Sequence, residues 1–184
     1  MTGAGYLNCA RTTQIVRETK MIQDPSVDFL LDVAHKTISA APCASLITLD
    51  ESGGPTSRSV AAFPPDADFS KIVVGTHPAS RKSIHILKDP RIALSYVDGP
   101  NRGYLTVMGV AHIDEGHNDK KAYWVDRFSA FFPDGPDSDE YQLMVIRPSC
   151  LEIRSFGLKV AEEPTRWSPV ILQRGESGVW RPAG

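Results

Sequence analysis

Six runs of apolar and β-branched residues, at 43–49, 56–63, 71–76, 91–97, 104–113 and 141–156, set the limits on what this chain can fold into. Most are stopped by residues that bend a chain: Asp50, Gly53, Gly54 and Pro55 after the first, Pro64 and Pro65 after the second, Gly157 after the last. Short strands joined by such turns predict an antiparallel sheet. In the fifth run Leu105, Val107, Gly109 and Ala111 alternate with Thr106, Met108, Val110 and His112. Both faces are apolar enough to predict burial on each side, as in a barrel wall covered by helices or a second subunit. The second and third runs are consecutive and are expected to neighbour one another in a meander.

Three helices are expected around this sheet. The first starts from an N-cap at Ser26 and runs over 27–34, with Phe29, Leu30 and Val33 on one face. A second covers 79–88, closed by Pro90. A third covers 120–132, with Trp124, Phe128 and Phe132 at helical spacing as packing groups. Many strands and few helices predict a mainly β fold, of the α+β kind, built as an antiparallel barrel with flanking helices. At 184 residues the chain suits one domain, taken as 25–157. Residues 1–24 carry no periodicity and stand outside it. The extension 158–184 is expected to form a hairpin around Gly175, Glu176, Ser177 and Gly178.

Composition narrows the function classes. A net charge of -2 argues against a broad nucleic-acid footprint. No apolar run approaches the ~20 residues needed to cross a bilayer, and the first residues lack a secretory pattern, so neither membrane nor export is expected. Cys9, Cys43 and Cys150 form no CxxC pair and read as inert thiols in a reducing compartment, the cytoplasm by default. The histidines His35, His77, His85, His112 and His117 show no ligand spacing, so no metal is expected. His85 is placed on the exposed face of its helix.

The chemistry concentrates at Thr76-His77-Pro78-Ala79-Ser80-Arg81-Lys82, a strand-to-helix junction. Unpaired N–H groups and the positive end of the helix dipole favour an anion there. Arg offers a forked pair of donors and Lys a compact charge, and together with the hydroxyls of Thr76 and Ser80 they suit a phosphate monoester. A solvated basic turn would use the same string. Arg58, on the preceding run, is expected to reach the same anion.

The segments Arg58-Ser59-Val60, Val73-Val74-Gly75-Thr76, Ser80-Arg81-Lys82, Asp89-Pro90-Arg91-Ile92-Ala93-Leu94 and 104–111 together resemble the pyridoxamine 5'-phosphate oxidase-like superfamily. Trp124 and the stretch 131–137 are similar to its general stress protein branch. The resemblance spans about 25–156. It implies an FMN-binding split barrel working as a homodimer, with flavin sites between the subunits. It further implies that Arg58, Arg81 and Lys82 hold the phosphate, with Thr76 and Ser80 adding hydrogen bonds. The backbone of Ser59, Val60 and Ala61 would then run along the isoalloxazine, and Tyr104 would stand near the flavin. Phe63 replaces a lysine of the oxidases, and Trp167, Arg174, Trp180 and Arg181 cannot be matched to their C-terminal flavin and substrate contacts. The resemblance therefore carries FMN binding further than it carries pyridoxamine phosphate oxidation.

The function expected is an FMN-dependent oxidoreductase moving a hydride between the flavin and a small molecule or nicotinamide. A non-catalytic FMN carrier or sensor is the alternative. Haem binding and deazaflavin binding on the same fold stay open.

Overall fold

The structure, a computed structural model, describes residues 25–114, 117–161 and 168–183. Cys9 and Trp167 lie outside the described residues. Twelve elements follow in order: helix α1 (Val27–Ala40), strands β1 (Ala44–Leu49), β2 (Pro55–Val60) and β3 (Ile72–Thr76), and helix α2 (Arg81–Lys88). Then come β4 (Arg91–Asp98), β5 (Gly103–Asp114), the single turn α3 (His117–Lys120), a 3-10 turn (Asp126–Ala130), β6 (Gln142–Ser155), β7 (Val170–Arg174) and β8 (Trp180–Pro182). All pairings among these strands are antiparallel, in the order β2-β1-β4-β5-β6-β7-β8, with β3 added on β6. The expected mainly β split barrel is what the chain forms.

The expected meander of the second and third runs does not form. β3 pairs with β6, from Ile72 opposite Ile146 to Thr76 opposite Gln142. Only a bridge between Ala62 and Val74, with the Phe63 N–H donating to the Val73 carbonyl at 2.8 Å, joins the end of β2 to β3. This seam is where the barrel is split. The reason lies in Pro64 and Pro65, which end β2 before a ladder can grow, and in the long β6, whose free edge accepts β3.

β6 serves two partners on one edge because it bends. Its first half holds β3 and its second half, Cys150 to Ile153, holds β7. Between them the register with β5 slips, so that Met108 faces Cys150 while Gly109 faces Pro148, leaving Ser149 as the extra residue of a bulge. Pro148 has no N–H to lose at this point.

Inside the barrel Leu46, Leu94, Leu105, Val107, Met144, Ile146, Leu151 and Ile153 are buried, and α1 lays Leu30, Val33 and Ala34 over them. Ser26 caps α1 by accepting the Phe29 N–H at 3.2 Å. Within one chain the outer face of β5 is only partly covered: Val110 is exposed and Thr106 and Met108 are half-buried. No continuous helix runs over 120–132. Trp124, Phe128, Phe132 and Phe63 instead pack around Tyr141 and Tyr123, with centroid distances of 5.1 Å for Trp124 to Tyr141 and 5.0 Å for Phe132 to Tyr141. Aromatic residues have modest helix propensity, and packing in this cluster overrides it. The stripe is packing, as expected, without the helix.

The C-terminal hairpin is clasped to the turn before β3. Trp180 Nε1 donates to the Asp68 carbonyl at 2.7 Å, and Arg174 donates to the Phe69 carbonyl at 3.0 Å and to the Asp68 carboxylate at 2.9 Å. Phe69, fully buried, adopts a left-handed φ of 53°, a conformation that costs a non-glycine residue energy and needs such external support. Trp180→Phe keeps an aromatic ring at this position and deletes one part-buried hydrogen bond. It is expected to cost about 1–2 kcal/mol, read as a lowered urea midpoint at unchanged slope.

Candidate functional site

β3 ends at Thr76, the chain turns through His77, Pro78 and Ala79, and Ser80 caps α2. The hydroxyls of Thr76, Ser80 and Ser83 form a triangle of 3.1, 3.0 and 2.9 Å. Ser83 donates to the His77 carbonyl at 2.9 Å, and Lys82 Nζ donates to Ser80 at 3.2 Å. Thr76 and Ser83 are buried, while Ser80 and Lys82 are half-buried and Arg81 is exposed. The triangle therefore braces Ser80 and the first turn of α2, whose free N–H groups face the same region.

Arg58 arrives from β2. Its register partner on β1 is Leu46, so its side chain shares the inward face with Leu46, Thr48 and Thr56. One terminal nitrogen donates to the Leu46 carbonyl at 3.2 Å and to Thr48 Oγ1 at 2.7 Å, and the other to Thr56 Oγ1 at 2.8 Å. His85 Nδ1 lies 2.9 Å from Thr48 Oγ1 and 3.3 Å from Thr56 Oγ1. His85 is thus buried against β1 and β2, not on the exposed face expected for it. Its period along α2 matches Ser83 and Ile86 on the inward side, and a polar partner on β1 was the part its own position could not reveal.

The electrostatics are one-sided. Burial, and then the charge of Arg81, holds the Arg58 pKa below its ordinary value. Burial, and then Arg58, does the same to Lys82. Among the described residues no carboxylate pairs with Arg58, Arg81 or Lys82. Three cations gathered at a helix N-terminus, partly stripped of water and mutually repelling, fit a multiply charged anion such as a phosphate monoester. The donor set of hydroxyls, a guanidinium pair and an ammonium fits it as well.

Ser59, Val60 and Ala61 continue from Arg58 along β2. β2 is an edge strand, paired to β1 as far as Val60 opposite Ala44, with Ser59 and Ala61 exposed. Its outer edge offers backbone N–H and C=O groups up to the Ala62 bridge. Phe63 turns away into the aromatic cluster, 5.1 Å from Tyr123.

Tyr104 is not brought to this cluster within one chain. The level of Thr48 on β1 continues through Ile92 to Gly109 on β5, five residues from Tyr104. At ~3.3 Å per residue that separates them by roughly 16 Å along the strands. The Tyr104 hydroxyl donates to Glu152 at 2.7 Å, and burial followed by this bond pushes its pKa up to about 12. His77 accepts the Ala79 N–H on Nδ1 at 3.0 Å and lies 3.9 Å from Glu140. Arg174 and Trp180 are occupied by the 68–69 turn, and Arg181 is exposed. Cys43 is exposed and Cys150 half-buried, both as free thiols, and no group of three metal-ligating side chains occurs among the described residues. No helix among them is long and apolar enough to cross a membrane.

The family model described as pyridoxamine 5'-phosphate oxidase matches residues 30–154. No curated protein matches the sequence. Among solved structures, a Clostridium acetobutylicum protein related to general stress protein 26 is similar at 18% identity, covering 71% of this chain and 91% of its own, with a TM-score of 0.62. General stress protein 26 from Bacillus anthracis is similar at 21% identity, covering 67% of this chain and 92% of its own, TM-score 0.58. A Nostoc punctiforme protein, described as pyridoxamine 5'-phosphate oxidase-related and FMN-binding, is similar at 14% identity over 81% of this chain and 90% of its own, TM-score 0.60. At these identities the structures speak for the fold alone.

Proposed function

The chain belongs to the pyridoxamine 5'-phosphate oxidase family, and from that premise we propose that it binds FMN and acts as an FMN-dependent oxidoreductase on a small molecule or nicotinamide cofactor. The observation that carries the cofactor is the uncompensated trio Arg58, Arg81 and Lys82 at the N-terminus of α2. These residues would hold the phosphate, with Ser80 donating from the cap and Thr76 bracing it. The open edge of β2 at Ser59, Val60 and Ala61 would offer hydrogen-bond partners to the polar rim of the ring. When bound, the flavin supplies the two-electron redox chemistry, and the protein positions and shields it.

Tyr104 joins this reading through a second copy of the chain. The outer sheet face carries Ile47, Ala93, Met108 and Val110 around a shallow apolar hollow, and a homodimer across that face would give each flavin site residues from both subunits. A non-catalytic FMN carrier or sensor is the second reading, favoured by the likeness to proteins named general stress protein and by Phe63 lying in the aromatic cluster.

The test is direct. The purified protein should show a flavin absorbance spectrum, or acquire it with added FMN, and release FMN by mass. A protein that binds none sinks the proposal. Anaerobic bleaching by NADH or NADPH faster than free FMN supports the enzyme; no bleaching beyond that background favours the carrier.

Lys82 sets a pH dependence whose sign follows from its surroundings. Burial and Arg58 favour its neutral form in the free protein, so it loses its proton below the ordinary lysine value of 10.5, whereas a bound phosphate favours the charged form. Binding then takes up a proton. FMN affinity should be at full strength near neutrality and decline as pH rises through the lowered pKa of the free protein. Fluorescence titrations between pH 7 and pH 10 should show Kd rising in the parent, with less slope in Lys82→Gln; equal slopes would place Lys82 away from the phosphate.

A further inference from the structure

We propose that His85 is a positioning residue of the phosphate site, fixing the guanidinium of Arg58 through the hydroxyls of Thr48 and Thr56. This role rests on the FMN reading and deepens it, since His85 would keep one phosphate contact in place without touching the phosphate.

Proton counting gives the relay its direction. A guanidinium only donates, so the hydroxyl oxygens of Thr48 and Thr56 accept from Arg58. Each hydroxyl has one proton left to give. For Thr48 the near acceptor is His85 Nδ1, at 2.9 Å. For Thr56 it is the Thr48 carbonyl or the same Nδ1, each at 3.3 Å. The other outlet for the Thr48 proton, Thr56 Oγ1 at 3.5 Å, is the longer one, so the relay assigns His85 Nδ1 as the acceptor and places the proton of the neutral ring on Nε2.

Placement gives the relay its purpose. His85 stands three residues after Lys82 on α2, and Thr48 and Thr56 stand opposite each other on β1 and β2. The relay thus ties the helix bearing Arg81 and Lys82 to the strand bearing Arg58. Arg58 is opposed by the charge of Arg81 and itself opposes that of Lys82. A guanidinium repelled in this way turns toward water unless something holds it. Its holders are the Leu46 carbonyl and the two hydroxyls that His85 orients. His85 and Thr48 are both buried, so water does not readily substitute for either.

The experiment compares FMN with riboflavin, which lacks the phosphate, on the full chain. In His85→Leu the FMN affinity should fall about tenfold, equivalent to ~1.4 kcal/mol, with riboflavin affinity unchanged. Thr48→Val should reproduce this drop in the FMN-to-riboflavin ratio. His85→Asn, which presents an oxygen acceptor near the place of Nδ1, should restore most of the ratio. An unchanged ratio in both His85→Leu and Thr48→Val overturns the relay, as does equal loss of both ligands, which marks a purely structural role. Should His85→Leu fail to fold, imidazole nitrogen NMR of the parent decides, because Thr48→Val also removes a direct contact with Arg58. A parent protein that does not prefer FMN over riboflavin overturns the phosphate site itself, a separate failure. Imidazole nitrogen NMR of the ligand-free parent at pH 8 gives a reading independent of flavin: a proton on Nε2 is expected, and a proton on Nδ1 overturns the relay.

Discussion

Arg58→Ala combined with Lys82→Ala is expected to lower FMN affinity by about two to four powers of ten, since each charge-assisted hydrogen bond to the phosphate contributes ~1.5–3 kcal/mol. These two side chains are the half-buried members of the trio, so their charges are less screened than that of exposed Arg81. The ligand-free protein should respond differently. Lys82 gains no carboxylate partner among the described residues and is opposed by Arg58, so Lys82→Ala alone should leave the melting temperature of the free protein unchanged or raise it. Isothermal titration with FMN and a melt without it separate the two effects. A double variant that binds FMN as tightly as the parent would remove the phosphate from this junction.

Gly109→Ala is the substitution expected to damage the fold most. A Cβ at this position would lie 2.2 Å from the Arg147 carbonyl oxygen and 3.0 Å from Pro148 Cα. Both are backbone atoms of the bulge and cannot swing aside as a side-chain tip would. Relief requires the bend in β6 to open, and that bend lets one strand carry β3 and β7 in succession. Overpacking of this kind costs about 3 kcal/mol or more. At ~2–4 °C per kcal/mol for a chain this long, the melt should fall by roughly 6–12 °C. FMN affinity should decline with it, because β3 delivers Thr76 to the site. A variant with the parent's melting temperature would show that the bulge is softer than its geometry implies.

The strands were legible because their cue is local: β5 alternates over its length, and the turn cluster at Asp50 to Pro55 could only end a strand. The junction at Thr76 to Lys82 was legible for the same reason, since cap, cation pair and hydroxyls lie within seven residues. Strand order was not. β3 bonds to a strand that begins 66 residues after β3 ends, at Gln142 after Thr76, and nothing local records such a choice. The 120–132 segment misled because its aromatics sit at helical spacing while their packing partners, Phe63 and Tyr141, lie outside it in the chain. His85 and Ser83 were missed because each acquires its meaning from a neighbour: Ser83 from the Thr76 hydroxyl, His85 from two threonines on other strands.

The clasp between the C-terminal hairpin and the 68–69 turn bears on how the molecule is made. Arg174 and Trp180 reach back across 105 and 112 residues to the Phe69 and Asp68 carbonyls. A ribosome delivers the turn long before its clasp, so Phe69 waits in its costly left-handed conformation, or outside it, while the strands between are made. Closing so long a loop carries an entropic cost that the nascent chain cannot recover in part. The clasp itself can therefore close only after β8 has been made.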